Sequence, residues 1–466
     1  RWAMGDGWNA GPTPWRNHIP VPHSRAGRAS HLLPPWGADG GSPERLPAWR
    51  GWLRVAGPFV ASGPNTNGFS RVRRHPCQES LDTFPSKRYR FVVTVVSVKP
   101  DLIRWARERS GLTVADLLKS FPKLPDWESG SARLTLRQLE ALARKTFTPL
   151  GFFFLPQPPE DKLPIPDFRT VKDEPVKKPS PNLLETIQIC QRRQEWMREF
   201  LYEQGQDPLP FVGAVTIHDN PVDVAADIRR VLGHGPEWAS LHATWHEALR
   251  AFRISIEEAG VLVSINGVVG NNGHRKLDPN EFRGFILLDK LAPLIFVNGS
   301  DAKAAQMFTM AHELAHLWLG CDGVFNLVEL QPSANAVETF CNQVAAEFLI
   351  PAVELRACWP QASAESEPFQ VLARRFKVSP LVAARRVLDL GFISKQDFLK
   401  FYAEYQRDER RKAANRPSGG DFYATQDLRI GRRFAHAVVR ATLEGRLLFR
   451  EAYQLTGLCG KTFDRY

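Results

Sequence analysis

The chain has 466 residues, 43% hydrophobic and 24% charged, enough for two or three domains and a sizeable core. No apolar run approaches the roughly 18 residues of a membrane-spanning helix, and no charged-then-apolar leader opens the sequence. The cysteines at 77, 190, 321, 341, 358 and 459 form no CxxC pair and no disulfide-like framework, so reduced thiols in a cytoplasmic protein are expected.

The formal charge of +11 suggests nucleic acid only until it is mapped. Residues 1–90 hold 13 Arg and Lys against 5 Asp and Glu, a net of +8, which leaves +3 for the other 376. The same stretch contains 11 Gly, 12 Pro and 6 of the 13 tryptophans, with neither helical nor strand periodicity. Residues 1–95 are therefore expected to be a disordered or spurious extension, and the net charge says little about DNA.

Lys99–Arg109 predicts a helix, Gly111-Leu112-Thr113 a capped turn and Val114–Phe121 a second helix. With Trp127-Glu128-Ser129-Gly130 and a helix at Leu136–Lys145, residues 96–154 are similar to XRE-type, phage-repressor-like helix-turn-helix domains. The part of such a domain that enters the major groove is here Pro122-Lys-Leu-Pro-Asp126, about four residues short. Its two prolines disfavour a helix interior. DNA as a partner and docking of a protein, or of the rest of the chain itself, are both open readings.

Residues 155–180 form a Pro-rich, semi-rigid linker. A helical region follows over 181–258, with helices expected at Asn182–Glu203, at Val222–Leu232 and through His242 to Ala259. His242 and His246 are four apart, but with no glutamate between them and no third ligand nearby. An amphipathic helix with incidental histidines is the simpler reading.

Residues 259–355 carry the chemistry. Three apolar stretches, Val261–Ile265, Gly284–Leu288 and Leu294–Asn298, predict strands. Ala302–Leu319 follows without Gly or Pro and stops at Gly320, a helix with its C-terminal glycine. It contains His312-Glu313-Leu314-Ala315-His316. Two histidines four apart on a helix face one metal ion, and the glutamate between them is rotated toward a water at that metal.

Catalytic zinc takes three protein ligands, so one is missing. Asp322, Glu329, Glu338 and Glu347 are the candidates. Val337–Ile350 reads as a helix ended by Pro351, on which Glu338 shares a small-residue face with Cys341, Asn342 and Ala345. Glu347 lies about 180° away, so only one of the two can reach the metal. Glu338 is taken as the third ligand and Glu347 as structural or solvent-facing. The expected set is His312, His316 and Glu338 around Zn2+, with Glu313 as the catalytic base.

In residues 356–466, a helical region, Phe369–Phe376, Lys377-Val-Ser379 and Pro380–Leu390 repeat a helix-turn-helix pattern over 369–391. Arg374, Arg375, Arg385 and Arg386 would contact phosphates if it bound DNA; the other reading is a helix pair closing the peptidase core. The fold class is thus α+β: a mainly helical multidomain chain around a small-sheet His-Glu-x-x-His metallopeptidase domain.

The runs Phe308–Gly320 and Val337–Pro351 resemble the ImmA/IrrE family of metallopeptidases. The resemblance extends from about residue 97 to the C-terminus and includes Glu281-Phe-Arg-Gly-Phe285 and Gly419-Gly-Asp-Phe-Tyr423. It implies that Glu338 is the third zinc ligand and that a helix-turn-helix precedes the peptidase. It also implies a protein substrate of regulatory kind, a repressor or antitoxin-like DNA-binding protein cut under stress or mobile-element induction. The strand around Phe282–Leu288 is expected to align an extended substrate by edge pairing. The rival readings are a DNA-binding transcriptional regulator with a non-catalytic metal site and an adaptor that binds a repressor without cutting it. Deleting residues 1–90 is expected to leave zinc content and melting temperature unchanged; a large drop in melting temperature would make the segment integral.

Overall fold

Leu262–Asn266, Gly284–Leu287 and Leu294–Asn298 are buried along their whole length, the pattern of strands covered on both faces. The computed structural model describes residues 94–160, 163–165, 179–321, 323–325, 335–407 and 422–466. All lie within one compact unit, Arg88–Tyr466. The expectation for residues 1–90 falls outside the described residues, as do Asp322, Glu329 and most of the 155–180 connector.

At the N-terminal end of this unit, β1 (Val95–Val96) and β2 (Leu134–Thr135) pair antiparallel beside α1 (Pro100–Arg109), α2 (Val114–Leu118), α3 (Leu124–Ser129) and α4 (Leu136–Lys145). Thr113 with Asp116 and Thr135 with Gln138 form capping boxes that start α2 and α4. Ile103, Leu117, Leu124, Trp127, Leu139 and Phe153 fill a small core of their own. The second helix ends at Leu118 rather than Phe121. The Pro122–Asp126 segment, expected to resist helix formation, opens a helix instead, because Pro125 falls in the first turn, where no N–H is needed. That helix has only six residues and carries Asp126 and Glu128; Arg107 donates to Glu128 at 2.7 Å.

Next come α5 (Pro181–Glu203), α6 (Pro221–Leu232) and α7 (Trp245–Glu258), each started by a side-chain cap from Ser180, Asn220 or Thr244. The expected helix through His242 is corrected. A Thr244–Glu247 capping box begins α7 after a short 3-10 turn, and His242 is extended. His242 and His246 therefore share no helical face.

The central sheet has four strands in the order β3-β7-β6-β8, where β3 is Leu262–Asn266, β6 Gly284–Leu287, β7 Leu294–Asn298 and β8 Gly323–Phe325. β3 and β7 run parallel, and β6 is antiparallel to both β7 and β8. A short hairpin, β4 (Val268–Val269) with β5 (Asn272–Lys276), stands beside it. The expected substrate-aligning edge at Phe282–Leu288 is corrected: β6 is paired on both sides, and β8 takes the outer place.

Side-chain alternation divides the sheet between two cores. Val263, Ile265, Ile286, Ile295 and Val297 face α6, α7, α8 (Lys303–Leu319) and α9 (Ala336–Leu349). Leu262, Phe285, Leu287, Leu294 and Phe296 face α5 and the C-terminal helices Arg432–Leu443 and Phe449–Thr456. Phe285 and Phe296 stack across β6 and β7 at 4.8 Å. The result is helix, sheet, helix in three layers, an α+β arrangement in which helix predominates. No described helix is long and apolar enough to cross a membrane.

Beyond α9 follow α10 (Ala352–Ala362), α11 (Pro368–Phe376) and α12 (Pro380–Asp389). Leu372, Phe376, Val382 and Val387 of the last two join the core that holds α8. Three of their four arginines pair with carboxylates of the chain, and Arg374 is exposed. Arg386 is buried against the Glu347 carboxylate and donates to the Ile350 carbonyl at 3.1 Å, while Arg375 pairs with Glu354 and Arg385 with Asp389. The alternative that had Glu347 facing solvent is corrected by the same contact. Arg229 of α6 also donates to the Glu347 and Phe348 carbonyls, so two arginines hold the end of α9. Arg386→Met, which strands a buried carboxylate, is expected to cost about 3–5 kcal/mol in urea unfolding, and adding Glu347→Gln should recover much of it.

Candidate metal centre

The helix that carries the two histidines is buried almost throughout, from Gln306 to Trp318. It can be so because α9 approaches it on one side and the sheet on another. Ala311 and Ala315 on α8, with Cys341 and Ala345 on α9, belong to the shared core and keep the contact surface small. Gly320 ends α8 in the left-handed conformation, φ 76°. Asn335 caps α9 by accepting the Val337 N–H at 2.9 Å.

This packing brings three expected residues together. His312 and His316, one turn apart, have their Nε2 atoms 2.9 Å from each other. Glu338 Oε2 is 3.3 Å from His312 Nε2, and Glu338 Oε1 is 3.3 Å from His316 Nε2. All three side chains are buried, and their donor atoms lie within 4.8 Å of one another. Ligands on a tetrahedral ion with bonds of 2.0–2.1 Å stand about 3.3 Å apart, so the residues present have the spacing of a metal-ligand set. Glu347 is on the opposite face of α9, bound to Arg386.

Electrostatics divides the site's carboxyls. Burial raises the Glu338 carboxyl, but hydrogen bonds and charge from His312 and His316 outweigh it and draw it down to about 2. Burial holds the His312 imidazole down at about 4, against the opposing pull of Glu338. A neutral imidazole beside an ionised carboxylate is the state in which both are ligands.

Glu313 is placed differently. It is fully buried, turned from the histidines toward β6, and neither carboxyl oxygen has a hydrogen-bond partner among the described residues. Burial, then the charge of Glu338, pushes its carboxyl well above the usual range. A buried orphan carboxyl needs an explanation, and a neighbouring water or cation supplies one. Space for it comes from Gly284 in β6. A Cβ at that position would meet Glu313 Oε1 at 2.9 Å, Thr309 Cγ2 at 2.6 Å and the Phe296 carbonyl at 2.9 Å.

Two neighbours escaped attention as functional groups. Asn342, one turn beyond Glu338, lies near enough to the His312 ring to favour its charged form, and its Oδ1 is buried without a hydrogen-bond partner among the described residues. Its place on the Glu338 face was readable, but its nearness to His312 was not, since that depends on how closely α8 and α9 pack. Cys341 lies on the same face, and burial keeps its thiol protonated, with Glu338, Glu313 and Cys321 adding to the effect.

With this geometry in view, comparison with known proteins is informative. Residues 256–388, from the end of α7 through α12, match the Peptidase_M78 family model, described as the IrrE N-terminal-like domain. Residues 430–466 match a domain of unknown function. No curated protein matches the chain. The match supports the ImmA/IrrE family and a metallopeptidase-type function for this part of the chain, and together with the buried His-His-Glu group it suggests a metal ion. If Glu338 supplies a ligand, Glu338→Ala should purify without metal, whereas Glu347→Ala should retain about one ion per chain; equal content by plasma emission would move the ligand elsewhere.

Proposed function

We propose that the chain is a zinc-dependent endopeptidase acting on a regulatory protein of the repressor or antitoxin-like class. The observation that carries it is the pairing of a closed His312-His316-Glu338 donor set with a separate buried carboxyl, Glu313, that bonds to none of them. A purely structural ion has no use for that second carboxyl. Two imidazoles and one carboxylate favour zinc over the hard, oxygen-seeking cations.

Held by His312, His316 and Glu338, zinc would supply Lewis acidity toward a carbonyl oxygen and toward water. The protein supplies the proton handling. Glu313, fixed against Gly284 by its own burial, would take a proton from the attacking water and hold it at a carboxyl oxygen. Its environment favours that protonated state, and the leaving amine then receives the proton.

The substrate class rests on the resemblance of the two motifs and of residues 96–154 to a peptidase preceded by an XRE-type helix-turn-helix. DNA is a weaker partner for that module. Its short α3 presents Asp126 and carries no cation of its own for a phosphate backbone, while Glu128 is half-buried and paired with Arg107. A protein-docking role for these helices fits better, with DNA-binding regulation as the alternative that the following test separates. Glu313→Gln should keep metal and fold but cut cleavage of a co-expressed repressor by about 10²–10⁴-fold, while repressor binding persists. An unchanged cellular phenotype in that variant, with metal and fold verified, would sink the catalytic reading.

A further inference from the structure

The outer strand beside the site belongs to the chain itself. β8 runs antiparallel along β6, with Gly284 opposite Phe325, Phe285 opposite Val324 and Ile286 opposite Gly323. Gly284 is also the residue against which the Glu313 carboxyl rests. β8 thus passes next to a β6 residue that touches the proposed general base.

Spacing decides what this means for a substrate. Adjacent strands lie about 4.8 Å apart, and a general base works within about 2.6–3.2 Å of the atom it serves. A peptide paired directly with β6 would sit one spacing from the strand that Glu313 contacts. A peptide paired outside β8 would sit two spacings away, about 9.6 Å, too far for a water held by Glu313 to reach its carbonyl. The productive place is the one β8 fills.

We propose that β8 is an autoinhibitory strand: it occupies the position of an extended substrate on β6, and cleavage requires it to leave. This rests on the peptidase reading above. The strand is three residues long, and each ladder hydrogen bond adds only about 1 kcal/mol net, so a longer extended peptide can outcompete it. Its start is tied to the metal-bearing helix. Gly320 turns the chain and the Cys321 N–H donates to the His316 carbonyl at 3.2 Å, so β8 leaves directly from the turn that holds His316. The fitting substrate is therefore an extended segment read through its main chain, one unfolded or released from its own domain, rather than a packed surface.

The test uses the full chain with Val324→Pro and Phe325→Pro. Antiparallel residues alternate between hydrogen-bonded and open pairs, so one of the two prolines removes an N–H directed at β6 and both oppose strand pairing. Val324→Gly weakens the same strand without removing a donor, and keeps the test available should a proline variant misfold. The first readout needs no metal: anisotropy of a fluorescein-labelled peptide with the sequence of residues 320–327. The disrupted variants should bind it about fivefold more tightly than wild type, the equivalent of one ladder bond. Equal affinity overturns the proposal.

The second readout is hydrolysis of fluorescent casein by zinc-loaded protein, expected to rise about fivefold in the same variants. A rate that falls or stays level, with circular dichroism and metal content matching wild type, makes β8 part of the working site and overturns its inhibitory role. Hydrolysis by none of the chains, with the peptide still discriminating, removes the peptidase reading and the inhibition with it. Failure at the peptide step alone leaves the peptidase reading standing.

Discussion

The close contact of α8 with α9 is the constraint on which the rest depends. Two histidines on one helix and a glutamate on another meet only if the helix surfaces between them are small, which Ala311, Ala315, Cys341 and Ala345 ensure. The sheet backs α8 from another side, with Gly284 giving up its side chain so that Glu313 can lie flat against β6. A bulkier residue at any of these places would move one donor relative to the others. Donor positions matter here at the level of tenths of an ångström, because bond lengths to a metal vary little.

The same enclosure sorts two glutamates into opposite roles. Glu338 and Glu313 are both buried near one another, yet one carboxyl is drawn down by two imidazoles and the other is pushed up by burial and by its neighbour. Titratable groups whose surroundings drive them apart in this way are the usual mark of separate ligand and proton-carrying roles. The difference arises from orientation along a helix: Glu313 is rotated one residue from His312 and faces the sheet, whereas the imidazoles face α9.

Much of this was legible because helical periodicity is local. The spacing of His312 and His316, the stop at Gly320, the strand at Leu294–Asn298 and the opposite faces of Glu338 and Glu347 all follow from a few neighbouring residues. The errors have a common cause. The helix expected through His242 begins only at Trp245, at a capping box of Thr244 and Glu247 that the sequence carries in plain view. The pairing of Arg386 with Glu347 spans 39 positions, and that of β8 with β6 depends on the path taken after Gly320. Such partners are chosen by tertiary packing and leave no spacing rule to read. Pro125 was misread for a finer reason: a shift of one turn separates a helix breaker from a helix starter.

The loop around Gly213 has a consequence for what counts as the unit of this protein. At the end of α8, the Leu317 carbonyl, which also accepts from the Gly320 N–H, and the Trp318 carbonyl accept N–H groups from Gly213 and Val215, at 3.0 and 3.1 Å. The Trp318 ring stacks on Phe211 at 4.5 Å and donates to Asp227 at 2.9 Å, while Arg229 secures the end of α9. Every one of these partners lies before residue 256, where recognisable peptidase sequence begins. The portion that can be recognised and the portion that can fold are thus different lengths. A fragment cut to the recognisable borders would keep every residue of the centre and lose the groups that finish its helices, so evolutionary memory and mechanical self-sufficiency are stored in different stretches of the same chain.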